Sequence, residues 1–482
     1  MDLDHDACYR AISLRDARFD GRLFTAVKTT GIYCRPICPA RTPRSENVVF
    51  YPSAAAAQEA GFRPCLRCRP ETAPDLGAWR GTSNTVSRAL ALIELGALDE
   101  GDVDALAGRL GVGERQLRRL FHQHLGASPV AVAQTRRVLL AKQLIHETRL
   151  PMTEVAFAAG FGSVRRFNET FQALFGRAPG DLRRGRAEET PAGPRGEIVV
   201  RLRYLPPYDW PAMLAFLERR AIPGVERVEA GRYARAIQID GVQGTVSVEP
   251  ADGAALRAVV RFPKLSALPA IIARLRRVFD LAADPLVIAE HLAGDPVLAP
   301  LVAARPGLRV PGGWDGFELA VRAVLGQQIT VSAAIALAGK LAAAYGDPLP
   351  APDGALVRTF PRPERLAGAD LSILGMPRSR AAALSAVAEA VLADPDLFSA
   401  NRDLDEAIRR LKAIRGVGEW TAQYIALRQM REPDAFPAAD VGLMRALETA
   451  EGGRPDAGEL LARSERWRPW RAYAAQHLWA AA

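Results

Sequence analysis

Apolar positions recur at helical spacing over residues 84–186 and again from about residue 284 to the end, with a β-rich interval between. In the first stretch Val103, Leu106, Ala107 and Leu110 keep one face apolar, and Gly111-Val112-Gly113 ends that helix. A second helix starts near Glu114, with Leu117, Leu120 and Phe121 inward and Arg115, Gln116, Arg118 and Arg119 outward. The pattern returns about fifty residues later. Met152, Val155, Ala156 and Ala159 form a face, Gly160-Phe161-Gly162 turns, and Ser163 caps a helix that buries Phe167, Phe171 and Phe175, with Arg165 and Arg166 outward. Two helix-turn-helix units joined by a helix through 131–145 explain the duplication better than one generic helical hairpin.

Between these helical stretches the period shortens. Residues 198–204, 234–239, 245–249 and 257–262 read as strands, and 210–219 and 265–279 as helices. From about Asp284 onward only helices are expected. Pro/Gly-containing stretches at 70–83 and 187–196 read as linkers. The organisation is therefore four segments: 1–74, 84–186, 197–283 and 284–482.

Composition narrows the class. No apolar run reaches eighteen residues, so no spanning helix and no membrane partner are expected. The acidic start MDLDHDACYR has no apolar export core, and a cytoplasmic protein is the expectation. The net charge is +9, of which +6 falls in residues 1–190 (27 Lys and Arg against 21 Asp and Glu), compatible with contact to phosphate.

All five cysteines lie within the first 68 residues. Cys34 and Cys38 form a C-x3-C pair, and Cys65 and Cys68 a C-x2-C pair; Cys8 stands alone and reads as a passive thiol. Such paired knuckles in a reducing compartment favour one four-thiolate Zn2+ site over two disulfides. Four thiolates around Zn2+ carry a net charge of −2, which keeps sulfur electron-rich, and methylating one lowers that charge. Spacing alone does not separate a reactive site from a structural one.

Thr29-Thr30-Gly31-Ile32-Tyr33-Cys34-Arg35-Pro36, Cys38, Glu46-Asn47-Val48, Ala60-Gly61-Phe62-Arg63-Pro64-Cys65 and Arg67-Cys68 resemble the metal-binding domain of the Ada methyl-transfer proteins. The resemblance implies that Cys34 accepts a methyl group from a methylphosphotriester, with Cys38, Cys65 and Cys68 as the other zinc ligands. The tandem helix-turn-helix segment, above all residues 152–176, resembles the AraC family. That implies contacts to double-stranded DNA through Arg115, Arg118, Arg119, Arg165 and Arg166, and action with RNA polymerase at promoters. Two units on one chain need no dimer, so a monomer is expected. Ada regulators usually continue into a transferase domain with a Pro-Cys-His-Arg motif; this chain has no such motif, and direct dealkylation of guanine is not expected.

A different constellation replaces it. Residues 411–422, LKAIRGVGEWTA, contain a hairpin at Arg415-Gly416-Val417-Gly418, where glycines let backbone amides approach a phosphate. Phe436-Pro437-Ala438-Ala439-Asp440 then places a carboxylate at a helix start, where a simple N-cap is the competing role. Hairpin, spacing and Asp440 resemble the helix-hairpin-helix glycosylase superfamily. Residues 314–329, 415–430 and 467–479 are similar to the AlkA-type 3-methyladenine DNA glycosylases, and 197–283 sits where these carry an N-terminal α+β subdomain. The resemblance implies Asp440 as the catalytic carboxylate and Trp420, Tyr424 and Trp479 as walls of a pocket for an alkylated base. It further implies Gly416, Gly418, Gln327 and Gln328 at the DNA.

Departures refine this picture. Trp420 occupies the place of the Schiff-base lysine of glycosylase-lyases, which leaves hydrolysis without strand cleavage. With no cysteine after Cys68, no iron–sulfur cluster is expected. Gln328 replaces a wedge leucine, and Ala480 an aromatic of the pocket. The implied fold is multidomain and mainly α: a small zinc-bound α+β domain, a tandem helix-turn-helix domain, an α+β subdomain and an all-α helix-hairpin-helix glycosylase domain. The implied function is monofunctional DNA glycosylase action fused to a methylphosphotriester-sensing regulator. The alternatives are an activator whose glycosylase-like part is inactive, and a zinc site that is structural only.

Overall fold

The computed structural model describes residues 4–73, 84–99, 101–183, 197–399, 404–448 and 453–481. Contacts divide the chain into two compact units. One comprises Met1–Leu205, Ala251–Val259 and Pro263–Ala273; the other comprises Pro206–Pro250, Val260–Phe262 and Arg274–Ala482. Residues 74–83 of the first expected linker, and all of 187–196, lie outside the described residues. Pro70–Thr72, however, is no linker. It forms a 3-10 turn with all three residues buried, because Glu71 is paired with cations there.

In the first unit, β1 (Phe24–Val27), β2 (Ile32–Cys34), β3 (Val48–Tyr51) and β4 (Arg63–Pro64) form a sheet in the order β3-β1-β2-β4. β1 and β2 make a hairpin through Gly31, whose φ of +64° suits glycine. β2 pairs with β4 in parallel, with Tyr33 opposite Pro64, so Cys34 and Cys65 leave the sheet in step. Phe24, Ala26, Tyr33 and Ala57 pack beneath.

The helices Val103–Arg109 and Glu114–Leu125, then Met152–Ala158 and Val164–Phe175, realise the duplicated pattern around the helix Pro129–Glu147. Leu117 and Phe121 are fully buried in one repeat, Phe167 and Phe171 in the other. Phe161, Phe167, Phe171 and Phe175 form an unbroken series of ring contacts, 4.8–5.4 Å between centroids. Ser163 accepts the Arg166 N–H, as the sequence predicts. β5 (Glu197–Arg203) neighbours a later strand of the same sheet.

In the second unit β6 (Glu226–Glu229), β7 (Arg232–Ile239) and β8 (Val242–Ala251) form an antiparallel meander; β9 (Ala255–Arg261), most of which belongs to the first unit, is the strand beside β5. β6 is absent from the sequence reading; its Glu-Arg-Val-Glu has no run of β-branched residues, and pairing with β7 creates it. The helix Gly316–Leu325 is buried along almost its whole length. It packs on helices Val331–Tyr345, Arg378–Ala393 and Glu419–Ile425. Among the described residues the all-helical expectation for this part has one exception, a hairpin of β10 (Pro348–Asp353) and β11 (Leu356–Arg358). Three prolines in PLPAP prevent helix there, and Gly354 at φ +58° turns the chain. No helix among the described residues is long and apolar enough to cross a membrane.

Candidate functional site

Each unit carries a cluster of chemically capable side chains. In the first, the sulfurs of Cys34, Cys38, Cys65 and Cys68 all lie within 4.8 Å of one another. A tetrahedral Zn2+ with Zn–S bonds of about 2.3 Å needs sulfurs roughly 3.8 Å apart, so the set fits one Zn2+. The Arg35 N–H donates to Cys68 Sγ and the Arg67 N–H to Cys65 Sγ, each at 3.3 Å. Among the described residues no backbone N–H donates to Cys34 Sγ, and Cys34 and Cys38 are half-exposed where Cys65 and Cys68 are buried. Cys8 is buried with Ala11, Ile12 and Leu23, away from the cluster.

Around the sulfurs, buried charge is paired. The Arg35 guanidinium, 5% exposed, donates to both Asp20 oxygens and to Thr72 Oγ1 at 2.7 Å. Lys142, fully buried on the helix Pro129–Glu147, donates to Glu71 and, at 3.0 Å, to the Cys65 carbonyl. Arg69 bridges Glu71 and Glu147 at 3.0 Å each. Burial alone would raise the Glu71 carboxyl, but His146, Lys142 and Arg69 hold it at about 2.

Arg115, Arg118, Arg119, Arg165 and Arg166 are all exposed on the second helices of their repeats. Arg118 pairs with Glu114 and Arg165 with Glu169, one turn apart in each case.

In the second unit the hairpin runs from the helix Leu404–Lys412 to the helix Glu419–Ile425. Gly416 adopts φ +85°, and a Cβ there would sit 2.3 Å from Ala383 Cβ, so only glycine fits. Gly418 is the N-cap residue of the second helix. From that helix Trp420 and Tyr424 stack with centroids 5.2 Å apart and planes 17° apart. Trp479, on the helix Arg471–Ala481, meets Tyr424 edge-on at 6.3 Å.

Asp440 joins these rings. Its Oδ2 accepts the Trp420 indole N–H at 2.7 Å, and its Oδ1 accepts the Trp479 indole N–H at 2.9 Å. Oδ1 also accepts the Leu443 N–H at 3.0 Å, so Asp440 does cap the helix Val441–Ala446. The cap uses one oxygen and leaves Oδ2 a second acceptor site. A Cβ at Gly442 would approach Asp440 Oδ1 to 3.0 Å and Trp479 to 3.4 Å, which explains the glycine. Asp440, Trp420, Tyr424 and Trp479 are each half-buried, so carboxylate and rings border accessible space.

Of the two glutamines, Gln328 is exposed at φ +59°, a conformation uncommon for a side-chain-bearing residue. Gln327 instead turns inward. Its Nε2 donates to the Gly416 carbonyl at 3.0 Å and to Thr421 Oγ1 at 2.9 Å, and its own carbonyl accepts from Arg380 at 2.6 Å. Two further residues escaped the sequence reading. Gln423 Oε1 accepts the Phe436 N–H at 3.1 Å and so ties the approach to Asp440 onto the hairpin helix. Arg428 lies beneath Tyr424 and Trp479, 5.1 and 5.2 Å from their centroids. The spacing Trp420, Tyr424, Arg428 is a helical i, i+4, i+8 series and was the available signal.

Comparison with known proteins agrees with this layout. Family models match in succession: metal binding domain of Ada over residues 7–71, helix-turn-helix domain over 106–185, AlkA N-terminal domain over 199–315, and HhH-GPD superfamily base excision DNA repair protein over 321–472. The chain is 37% identical over 282 residues, 58% of its length and 95% of the relative's, to DNA-3-methyladenine glycosylase 2 of Escherichia coli. It shares the fold of a 3-methyladenine DNA glycosylase from Archaeoglobus fulgidus, with a TM-score of 0.52 at 24% identity, covering 58% of this chain and 96% of that one. Over 479 residues, 99% of this chain and 96% of the relative, it is 44% identical to the "Probable bifunctional transcriptional activator/DNA repair enzyme AlkA" of Mycobacterium tuberculosis. Zinc knuckle, paired helix-turn-helix units and glycosylase fold in that one order make the chain a member of the AlkA-type bifunctional transcriptional activator/DNA repair family.

Proposed function

We propose that the second unit hydrolyses the N-glycosidic bond of alkylated bases, 3-methyladenine among them, in double-stranded DNA, leaving an abasic site. The observation that carries this reading is a half-buried carboxylate gripped by two indole N–H groups at the edge of a three-ring cage. The C1′–N bond breaks with its electron pair going to the base, and positive charge develops at C1′. Asp440 stabilises that charge and accepts a hydrogen bond from the attacking water through Oδ2. Water oxygen bonds to C1′, and its proton leaves to solvent when a cationic base departs neutral. The electron-rich rings of Trp420, Tyr424 and Trp479 favour an extruded cationic purine. The backbone at Gly416 and Gly418 anchors a phosphate, and Gln328 fills the gap left in the duplex. Asp440→Asn is expected to lower release of 3-methyladenine from methylated duplex by about 10²- to 10⁴-fold with DNA binding intact; release near the unsubstituted rate refutes the role.

In the first unit, the Cys34 thiolate accepts the methyl group of a methylphosphotriester: the S–CH3 bond forms as the O–CH3 bond breaks, and the phosphate leaves as an ordinary phosphodiester anion. Cys34 is one of the two reachable sulfurs, and it lacks the backbone donors that quench Cys65 and Cys68. Cys34, Cys38, Cys65 and Cys68 would hold Zn2+, which would keep the sulfurs deprotonated at neutral pH. The neighbouring buried cations are matched by Asp20, Glu71 and Glu147, so the surroundings do not cancel the cluster's charge. Transfer of methyl to Cys34 lowers that charge and with it the repulsion from DNA phosphate. The exposed arginines of the paired helix-turn-helix units then hold double-stranded DNA, and the protein acts with RNA polymerase at promoters as a monomer. Mass spectrometry after incubation with methylated DNA tests this: one added methyl on the Cys34 peptide is expected, and an unmodified peptide makes the site structural only.

A further inference from the structure

The aromatic cage has a cationic side that hydrolysis of a cationic base does not need. Arg428 is 3% exposed, and its guanidinium lies 5.1 Å from the Tyr424 centroid, 5.2 Å from Trp479 and 4.5 Å from Phe216. It is fixed there by donation to the Pro311 carbonyl at 2.8 Å and to Gln476 Oε1 at 3.3 Å. A second guanidinium, Arg220, stacks 4.0 Å over the same Phe216 ring. Arg220 is partly buried; it donates to the Phe216 carbonyl at a long 3.5 Å and hydrogen-bonds the Tyr424 hydroxyl. Burial alone would raise the Tyr424 hydroxyl, yet Arg428 and Arg220 together pull it below its ordinary value, which places both charges at the cage. The acidic group facing them is Asp440.

Two positive charges against one negative are a poor match to a ligand that is itself a cation. They suit the opposite electrostatics. A cationic N-alkylpurine departs as a neutral molecule, but a neutral base departs carrying the electron pair of the broken C1′–N bond as negative charge. That charge is afterwards quenched by the proton released from the attacking water. A guanidinium donor beside the departing base lowers the barrier for the second kind of lesion and does little for the first.

We propose that Arg220 is a specificity-determining residue: with Arg428 as fixed background charge, its guanidinium donates to a neutral base as it leaves and extends the cage from cationic to neutral damaged purines. Arg220 fills this role rather than Arg428 because Arg428 is buried and committed to Pro311 and Gln476, whereas Arg220 is only partly buried and faces the Tyr424 hydroxyl in the cage wall. The inference rests on the glycosylase reading above.

The test uses the full chain in single-turnover release from two duplexes, one carrying 7-methylguanine (cationic) and one hypoxanthine (neutral). Arg220→Met is expected to slow hypoxanthine release about a hundredfold while 7-methylguanine release stays within about threefold or rises. Arg220→Lys, which keeps the charge, is expected to restore most of the loss. The cationic substrate is the folding control in the same sample. Equal loss on both substrates, no loss on hypoxanthine, or an unsubstituted protein that releases 7-methylguanine but not hypoxanthine overturns the proposal. An unsubstituted protein inert on both overturns the glycosylase reading itself, and this inference with it.

Discussion

The thiolate cluster and the carboxylate cage are assembled in contrasting ways. The four sulfurs come from two short knuckles, brought into step by a single parallel register between β2 and β4. The cage draws Trp420, Asp440 and Trp479 from three separate helix ends, and its register is set by side-chain hydrogen bonds onto one carboxylate. Their surroundings differ as well. Behind the sulfurs lie paired ions, Asp20–Arg35 and Glu71–Lys142. Behind the carboxylate lie aromatic rings and two arginines without an equal number of acids. One site is surrounded by balanced charge; the other is set in a field with a net positive bias.

The strongest test of this contrast is removal of a ligand. Cys65→Ser is expected to abolish zinc retention, since structural Zn2+ contributes on the order of 10 kcal/mol to such small folds. Zinc analysis by atomic absorption checks this, and release of 3-methyladenine by the same variant should stay within about twofold. A parallel fall in base release would show the two sites to be coupled. Next in size is Glu71→Ala, which strands the fully buried Lys142 ammonium. Denaturant unfolding should show a loss of about 3–5 kcal/mol in the first unit; a loss under 1 kcal/mol would mean the ion cluster is not the support described.

Smaller effects probe the cage. Trp420→Phe keeps a ring but removes the N–H to Asp440 Oδ2. A hydrogen bond to a charged acceptor contributes about 1.5–3 kcal/mol, so base release should fall about 10- to 100-fold while affinity for undamaged DNA is unchanged. Gln327→Ala removes two neutral bonds that tie the exposed Gln328 loop to the hairpin. The expected slowing is about five- to tenfold, read as single-turnover release. A change in DNA affinity alone would return Gln327 to the DNA-contact role that the resemblance implied.

Much of the molecule is legible in residue order. The duplicated helix-turn-helix pattern is recovered down to the Ser163 cap and the burial of Phe167 and Phe171, because local periodicity and capping act within a few residues. The zinc knuckles are legible for the same reason. β6 and the β10–β11 hairpin are not, since partner strands and prolines decide them rather than hydrophobic alternation. Glu71, in a Pro-rich stretch that reads as linker, is buried because Lys142, 71 residues away, neutralises it.

Residue order by itself determined the chemical inventory: four thiolates at knuckle spacing, a Gly-x-Gly hairpin, and an aspartate at a helix start with aromatics nearby in the motif. Only tertiary structure decided how those groups are spent. It tied Gln327 to Gly416 and Thr421, made Asp440 both cap and acceptor of two indoles, and set Arg220 and Arg428 against the cage. The physical reason is range. Helix, turn and knuckle preferences act over a few neighbouring residues, whereas hydrogen bonds and charge act between atoms within a few ångströms, whatever their separation along the chain.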